Sequence, residues 1–215
     1  MQGWLTNSKN TFYKIVLWSV YQFFAIVYRH KIYGLENVVD GPALLAANHA
    51  SLYDPPLLAI STPYEVHFMA KKALFDIPLF RTLIRRLNAH PVSGKAQDIG
   101  VFKTMIRLLQ ERKKVIIFPE GHRSLTGELQ PMKPGIALLL AKSQAALIPV
   151  YLHGTFAIWP KHQKWPRLRG RTACVFGKPL YFAKDVAQEE VTATLEKAIR
   201  DLMTNYTCKY KCIEK

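Results

Sequence analysis

Acidic residues are scarce in this chain: 15 Asp and Glu stand against 30 Lys and Arg in 215 residues, a formal charge of +15. A surplus of that size needs a polyanion, whether nucleic acid, anionic lipid headgroups, a phosphorylated substrate or an acidic protein, and charge alone does not choose among them. Cysteine is scarcer still. The three, Cys174, Cys208 and Cys212, are an odd number, and the close pair has no neighbouring Cys or His to complete a metal set, so a reducing compartment without zinc is expected. Glycine (11) and proline (13) are few, and with 49% apolar and 21% charged residues this excludes disorder, collagen-like repetition and a polytopic membrane protein. No internal repeat is visible. What remains is a folded globular chain, long enough to bury roughly 70% of its unfolded surface without covalent staples.

One long apolar run is present. Residues 12–28, FYKIVLWSVYQFFAIVY, are almost continuously apolar, interrupted by Lys14 and Gln22, and are followed by Arg29, His30 and Lys31. Seventeen residues lie at the lower limit for a membrane span, and no small-x-small cleavage site follows. On a helix, Lys14, Trp18, Gln22, Ala25 and Arg29 fall on one stripe, with Phe12, Val16, Phe23 and Val27 away from it. Amphipathic rings (Trp4, Tyr13, Trp18, Tyr21, Tyr28) and cations at both ends suit a helix lying in the headgroup interface. A true span and a core helix of a soluble domain are the alternatives.

After residue 31, short apolar runs alternate with helical periods. Strands are expected at Ala43–Ala47, 65–69, 115–118, 147–152 and 172–176, and helices at 55–60, 78–87, 99–112, 135–142 and 186–205. Continuous apolar strands imply cover on both faces, hence an α/β fold with a mixed, largely parallel sheet flanked by helices. Residues 1–31 form the expected membrane-anchoring segment and 32–215 the α/β domain. The stretch 158–171 has no clear period and reads as an exposed basic, aromatic loop.

Two strands run into chemistry. The first is followed by Asn48-His49-Ala50-Ser51-Leu52-Tyr53-Asp54-Pro55. His and Asp five apart do not share a helix face, so they converge only if a loop or helix start intervenes, which Pro55 and Pro56 support. Such a pair at a strand's carboxyl end lies where open α/β sheets hold their ligands. The second runs Ile116-Ile117-Phe118-Pro119-Glu120-Gly121-His122-Arg123-Ser124, where Pro119 stops the ladder and Gly121 permits a tight turn. There Arg123 either grips a phosphate with its planar fork or pairs with Glu120 as a structural ion pair.

In this order the segments resemble the glycerophospholipid acyltransferase family, most closely its bacterial 1-acyl-sn-glycerol-3-phosphate members. The resemblance begins at Tyr33-Gly34-Leu35-Glu36-Asn37. It takes in block I (Asn48 to Pro55), block II (Ala89-His90-Pro91-Val92 with Asp98) and block III (Phe118 to Ser124). Met132-Lys133-Pro134-Gly135 and block IV (Ile148-Pro149-Val150) follow. The chain departs at Gly94, often Arg in the family, at His90, usually aromatic, and at His122, usually Thr.

The resemblance implies acyl transfer from a thioester, carried by acyl carrier protein or coenzyme A as co-substrate, to the sn-2 hydroxyl of 1-acyl-glycerol-3-phosphate (lysophosphatidic acid), giving phosphatidic acid. No further cofactor and no metal is expected. His49 is the natural general base, with Asp54 fixing its tautomer as in a hydrolase triad whose serine is replaced by the acceptor alcohol. Ser51 as an acyl-enzyme nucleophile is a further option. Backbone N–H groups after Asn48 or at the helix entered by Pro55 are the expected oxyanion donors. Arg123 is expected on the acceptor phosphate, Glu120 on glycerol hydroxyls or orienting that arginine. Gly121, Ser124, Asn48 and Lys71 complete the substrate set, with Lys72, Lys95 and His122 behind them.

The expected setting is the cytoplasmic face of the cell membrane, with a monotopic or peripheral attachment to an anionic surface. Another lysophospholipid or glycerol-3-phosphate as acceptor is the same-fold alternative. A nucleic-acid-binding module, resting on Trp159, Lys161, Lys164, Trp165, Arg167, Arg169 and Arg171, lacks a reading helix or a stacking sheet, so no nucleic-acid partner is expected. A metal phosphoesterase using His49, Asp54, Glu120 and His122 would be inactivated by a chelator.

Overall fold

The computed structural model describes residues 10–92 and 99–209. Asp98 of the expected block II, with Ser93, Gly94 and Lys95 before it, and Trp4 and Cys212 lie outside them. Helix α1 (Thr11–Tyr28) starts where the Asn10 side chain accepts the Tyr13 N–H at 3.2 Å, and stops at Arg29 in the left-handed conformation. Seven strands follow, β1 (Lys31–Tyr33), β2 (Ala43–Ala47), β3 (Val66–Lys71), β4 (Ala89–Val92), β5 (Lys114–Ile117), β6 (Ala146–His153) and β7 (Ala173–Phe176). They alternate with α2 (Asp54–Ser61), α3 (Pro78–Arg86), α4 (Ile99–Gln110), α5 (Gly135–Ser143) and the short α6 (Thr155–Ile158), and α7 (Gln188–Lys209) follows β7.

The sheet has the order β1-β7-β6-β2-β5-β3-β4 and is parallel except for the β6–β7 pair, as expected for a mixed, largely parallel sheet. β2 is central and every one of its five residues is buried. Alternation along it sends Ala43, Leu45 and Ala47 to a core shared with α1 and α2, and Leu44 and Ala46 to a core shared with α4, α5 and α7. Two apolar layers explain why the strands read as unbroken apolar runs.

Two strands were not anticipated. β1 and β4 are short edge strands, and β4 contains Pro91, which an edge tolerates because one side of the strand needs no ladder bond. The division expected between residues 31 and 32 therefore runs through β1.

α1 also differs from its expected stripe. Its inward face is Tyr13, Leu17, Phe24 and Tyr28, packed in the core with α2, and its outward face carries Phe12, Ile15, Trp18, Phe23 and Ile26. Lys14, Gln22 and Ala25 are half-buried and Arg29 lies beyond the helix, so no polar stripe forms. The 158–171 stretch is exposed only in its later part: Pro160 is buried, and Trp159 packs edge-on against Tyr53 with centroids 4.9 Å apart.

Candidate active site

β2 and β5 are parallel neighbours, with Ala46 beside Ile117. Three residues further along each chain stand His49 and Glu120, so register alone brings the two motifs together. The chain then leaves β2 into α2 on one face of the sheet and reaches α5 on the other face after β5. Adjacent strands whose connections depart to opposite faces open a crevice at their carboxyl ends.

His49 sits at the mouth of this crevice with its side chain 18% exposed, and its Nδ1 lies 2.8 Å from Asp54 Oδ2. A carboxylate only accepts, so Nδ1 carries the proton and Nε2 keeps its lone pair. Asp54 is the first residue of α2 and is wholly buried. Its Oδ2 also accepts the backbone N–H groups of Ala50 and Ser51, at 2.6 and 2.7 Å. Pro55 and Pro56 suit the first turn because neither needs to donate there. On the other side, Phe118 stacks on the His49 ring, centroids 4.1 Å apart and planes 20° apart.

Glu120 is 1% exposed. One oxygen accepts the His49 N–H at 2.5 Å and the other the Gln130 N–H at 2.9 Å, while the Ser124 N–H donates to the His49 carbonyl at 2.8 Å. Burial raises the Glu120 pKa above the usual carboxylate value, and the two N–H groups and His49 oppose that rise. The carboxylate clamps the two loops to each other, a structural role beside the substrate role expected of it. Among the described residues Arg123 makes no ion pair with Glu120 or any other acid. Arg123 is half-buried on the turn after β5. The turn itself needs Gly121: φ is +74°, and a Cβ there would lie 2.6 Å from Lys133 Nζ.

Residues 29–153 match the Acyltransferase family model. The chain belongs to the Acyltransferase family. This acyltransferase is 31% identical over 171 residues to the 1-acyl-sn-glycerol-3-phosphate acyltransferase of Bacillus subtilis, covering 77% of this chain and 82% of that one. A chloroplastic 1-acyl-sn-glycerol-3-phosphate acyltransferase of Arabidopsis thaliana is 29% identical over 84% of this chain, which spans 51% of that protein. Among solved structures, the 1-acyl-sn-glycerophosphate acyltransferase of Thermotoga maritima shares the fold with a TM-score of 0.78 at 24% identity. That match covers 94% of this chain and 85% of the other.

The other expected site residues divide by what they touch. Asn48 is buried, and its amide exchanges two bonds with the backbone of Leu152, joining the end of β2 to β6. Ser124 is buried, with its hydroxyl accepting the Gly127 N–H. Ser51 is fully buried and donates to the Trp159 carbonyl, which does not suit it to attack a thioester as an acyl-enzyme nucleophile. Lys71 does not follow β3 but ends it, exposed on the same sheet edge, with Lys72 in the turn beyond; His122 is exposed on the block III turn. The N–H groups of His49, Ala50, Ser51 and Tyr53 are taken by Glu120, Asp54 or the Ser51 hydroxyl, which withdraws four of the donors expected in the turn after Asn48. At the entry to α2, prolines at the first turn and the Leu57 N–H bonded to Tyr53 leave no outward donors of the expected kind. Sequence reasoning missed Phe118 stacked on His49 and Lys133 beside Gly121, although both lie inside the blocks that carry the resemblance.

Proposed function

We propose that this acyltransferase transfers a fatty acyl group from a thioester to the sn-2 hydroxyl of 1-acyl-glycerol-3-phosphate. The observation that carries the reading is the buried Asp54 holding Nδ1 of a partly exposed His49 at 2.8 Å, which leaves Nε2 to receive the acceptor's proton. As that proton moves to Nε2, the hydroxyl oxygen bonds to the thioester carbon. The carbon–sulfur bond then breaks, and the thiolate leaves with the proton returned by the imidazolium. Asp54 stabilises that imidazolium, and Phe118 keeps its ring in one plane. Arg123 takes the acceptor phosphate, with Lys133 as a second cation beside the turn, and Lys71 stands further along the same edge. Residues 1–31 anchor the protein to an anionic cytoplasmic leaflet and 32–215 carry the chemistry. The donor is acyl carrier protein or coenzyme A, with no other cofactor.

The relatives' names support lysophosphatidic acid as acceptor. The deciding experiment supplies purified enzyme in anionic vesicles with each donor against lysophosphatidic acid, glycerol-3-phosphate and lysophosphatidylcholine. Phosphatidic acid is the expected product, absent with His49→Ala and unaffected by a chelator. Arg123→Ala should lower kcat/KM for lysophosphatidic acid, with Arg123→Lys recovering only part because lysine lacks the planar fork. A kcat/KM within about twofold of the parent in Arg123→Ala, less than roughly 0.5 kcal/mol of transition-state binding, would move the phosphate to another residue.

A further inference from the structure

α3 contains three arginines and no acid, and Arg81, Arg85 and Arg86 are all exposed. Its inward side is small: Ile84 is buried with Phe75 and Ala89 at the edge of the sheet. Leu79, on the other side of the helix, is 89% exposed, and Ile77 immediately before the helix is 53% exposed. An apolar side chain held in water among cations gains nothing from the folded chain itself.

The position of α3 says what it meets. The Arg86 guanidinium lies 5.2 Å from the centre of the Phe12 ring, so α3 adjoins the start of α1. From there the outward residues Phe12, Ile15, Trp18, Phe23 and Ile26 form an apolar strip along α1. At the far end of α1 the Tyr28 hydroxyl donates to the Arg167 carbonyl at 2.9 Å, which ties down the loop bearing Arg167, Arg169 and the exposed Trp165 and Leu168. The strip is thus bracketed by arginines at both ends. That arrangement fits apolar atoms immersed among acyl chains with guanidinium groups on lipid phosphates.

We propose that α3 is a second membrane-docking element, laid on an anionic leaflet beside α1, with Ile77 and Leu79 inserted and Arg81, Arg85 and Arg86 on headgroup phosphates. This rests on the reading of α1 as the membrane anchor. An acidic carrier protein would meet the same arginines, but the continuity of α3 with the apolar strip of α1 favours the bilayer. Because the chain runs from β3 through Lys71 and the turn at Lys72 into α3, docking also holds that end of the active-site edge at the lipid surface.

The test is co-sedimentation of the intact chain with vesicles of phosphatidylcholine containing 30% phosphatidylglycerol, at low salt. Leu79→Glu with Arg81→Glu should lower partitioning at least tenfold, since one surface cation alone is worth about fivefold. Ile15→Glu with Ile26→Glu should lower it as well. Leu138→Glu, equally a leucine-to-acid change but on α5 in the opposite layer, should not. If the intact chain ignores the vesicles, both readings fall. If the α1 variant loses binding while the α3 variant stays within twofold of the parent, the α3 proposal alone falls. It falls too if the α3 variant binds vesicles normally and loses activity only when acyl carrier protein is the donor, because α3 is then a protein-docking face. Should the double variant not fold by circular dichroism, Leu79→Gln carries the same comparison.

Discussion

Asp54 concentrates its work on one oxygen. Oδ2 accepts the His49 ring and two backbone N–H groups, and buried Oδ1 has no protein partner among the described residues. In Asp54→Asn the carboxamide oxygen is held inward by the Ala50 and Ser51 N–H groups, which repel an NH2 in that place. The Nδ1–H tautomer should survive, and only the charge that stabilises the imidazolium is lost. A turnover drop of about 100-fold is therefore expected, short of the roughly 10^4 seen where the tautomer also inverts. Nitrogen NMR of the ring should still show Nδ1 protonated; an Nε2–H tautomer would refute the argument. Asp54→Ala leaves two buried N–H groups unpaired and should cost about 1–3 kcal/mol of stability for each, read from urea unfolding. Phe118→Ala frees the His49 ring, so kcat should fall about tenfold with donor KM little changed, and Phe118→Leu should recover part of it. His49 and Asp54 were legible because their spacing and Pro55 lie in one contiguous stretch. The clamp by Glu120 was not, since its partners Gln130 and His49 lie 10 and 71 residues away and no local pattern signals them.

At the scale of elements, α1 decides how membrane attachment is to be tested. Its length and composition suffice for a span, yet Tyr13, Leu17, Phe24 and Tyr28 are buried against the domain and the Tyr13 hydroxyl accepts the Val66 N–H at the start of β3. Removing residues 1–31 would strip four buried side chains worth about 1.5–3 kcal/mol each, comparable with the whole stability of a domain. The truncated chain should therefore lose its cooperative thermal transition, and its absence from vesicles would carry no meaning. A sharp transition in the truncated protein would show that α1 is dispensable to the fold. The substitutions at Ile15 and Ile26, which face outward at 59% and 77% exposure, separate attachment from folding. Sequence placed the helix but not its inward face, because apolar residues occupy both faces and the periodicity is nearly flat. The five strands of the buried sheet were readable as apolar runs and α2, α3 and α5 from Pro55, Pro78 and Gly135. β1 and β4 were not, since a three-residue strand beside cations and a strand containing Pro91 carry neither signal.

Across the whole molecule, one buried histidine joins three segments. His30, 7% exposed, is where the chain turns from α1 into β1. Its Nε2 lies 2.8 Å from Ser61 Oγ at the end of α2, and its Nδ1 3.0 Å from Thr172 Oγ1 just before β7. The Ser61 hydroxyl donates to Leu57, so it accepts from Nε2–H, and Nδ1 accepts from Thr172; the site is built for a neutral ring. Burial lowers the His30 pKa to about 4, against the opposing effect of the neighbouring Thr172 backbone. In the unfolded chain the ring titrates near 6.5. A folded value below the unfolded one means stability fully present above pH 6.5 and lost as pH falls through about 4, because the unfolded chain takes up the proton first. The loss between pH 7.5 and pH 5 is about 2 kcal/mol from this ring alone. His67 is lowered to about 4 as well, first by burial and then by His90 beside it at 3.1 Å, and adds a loss of the same sign. Urea unfolding of the parent should therefore weaken steadily below pH 6.5. His30→Gln should be less stable at pH 7.5 yet lose less on acidification than the parent, with His67 accounting for part of what remains. A pH profile for His30→Gln parallel to that of the parent would show that His30 is not what couples protonation to the fold.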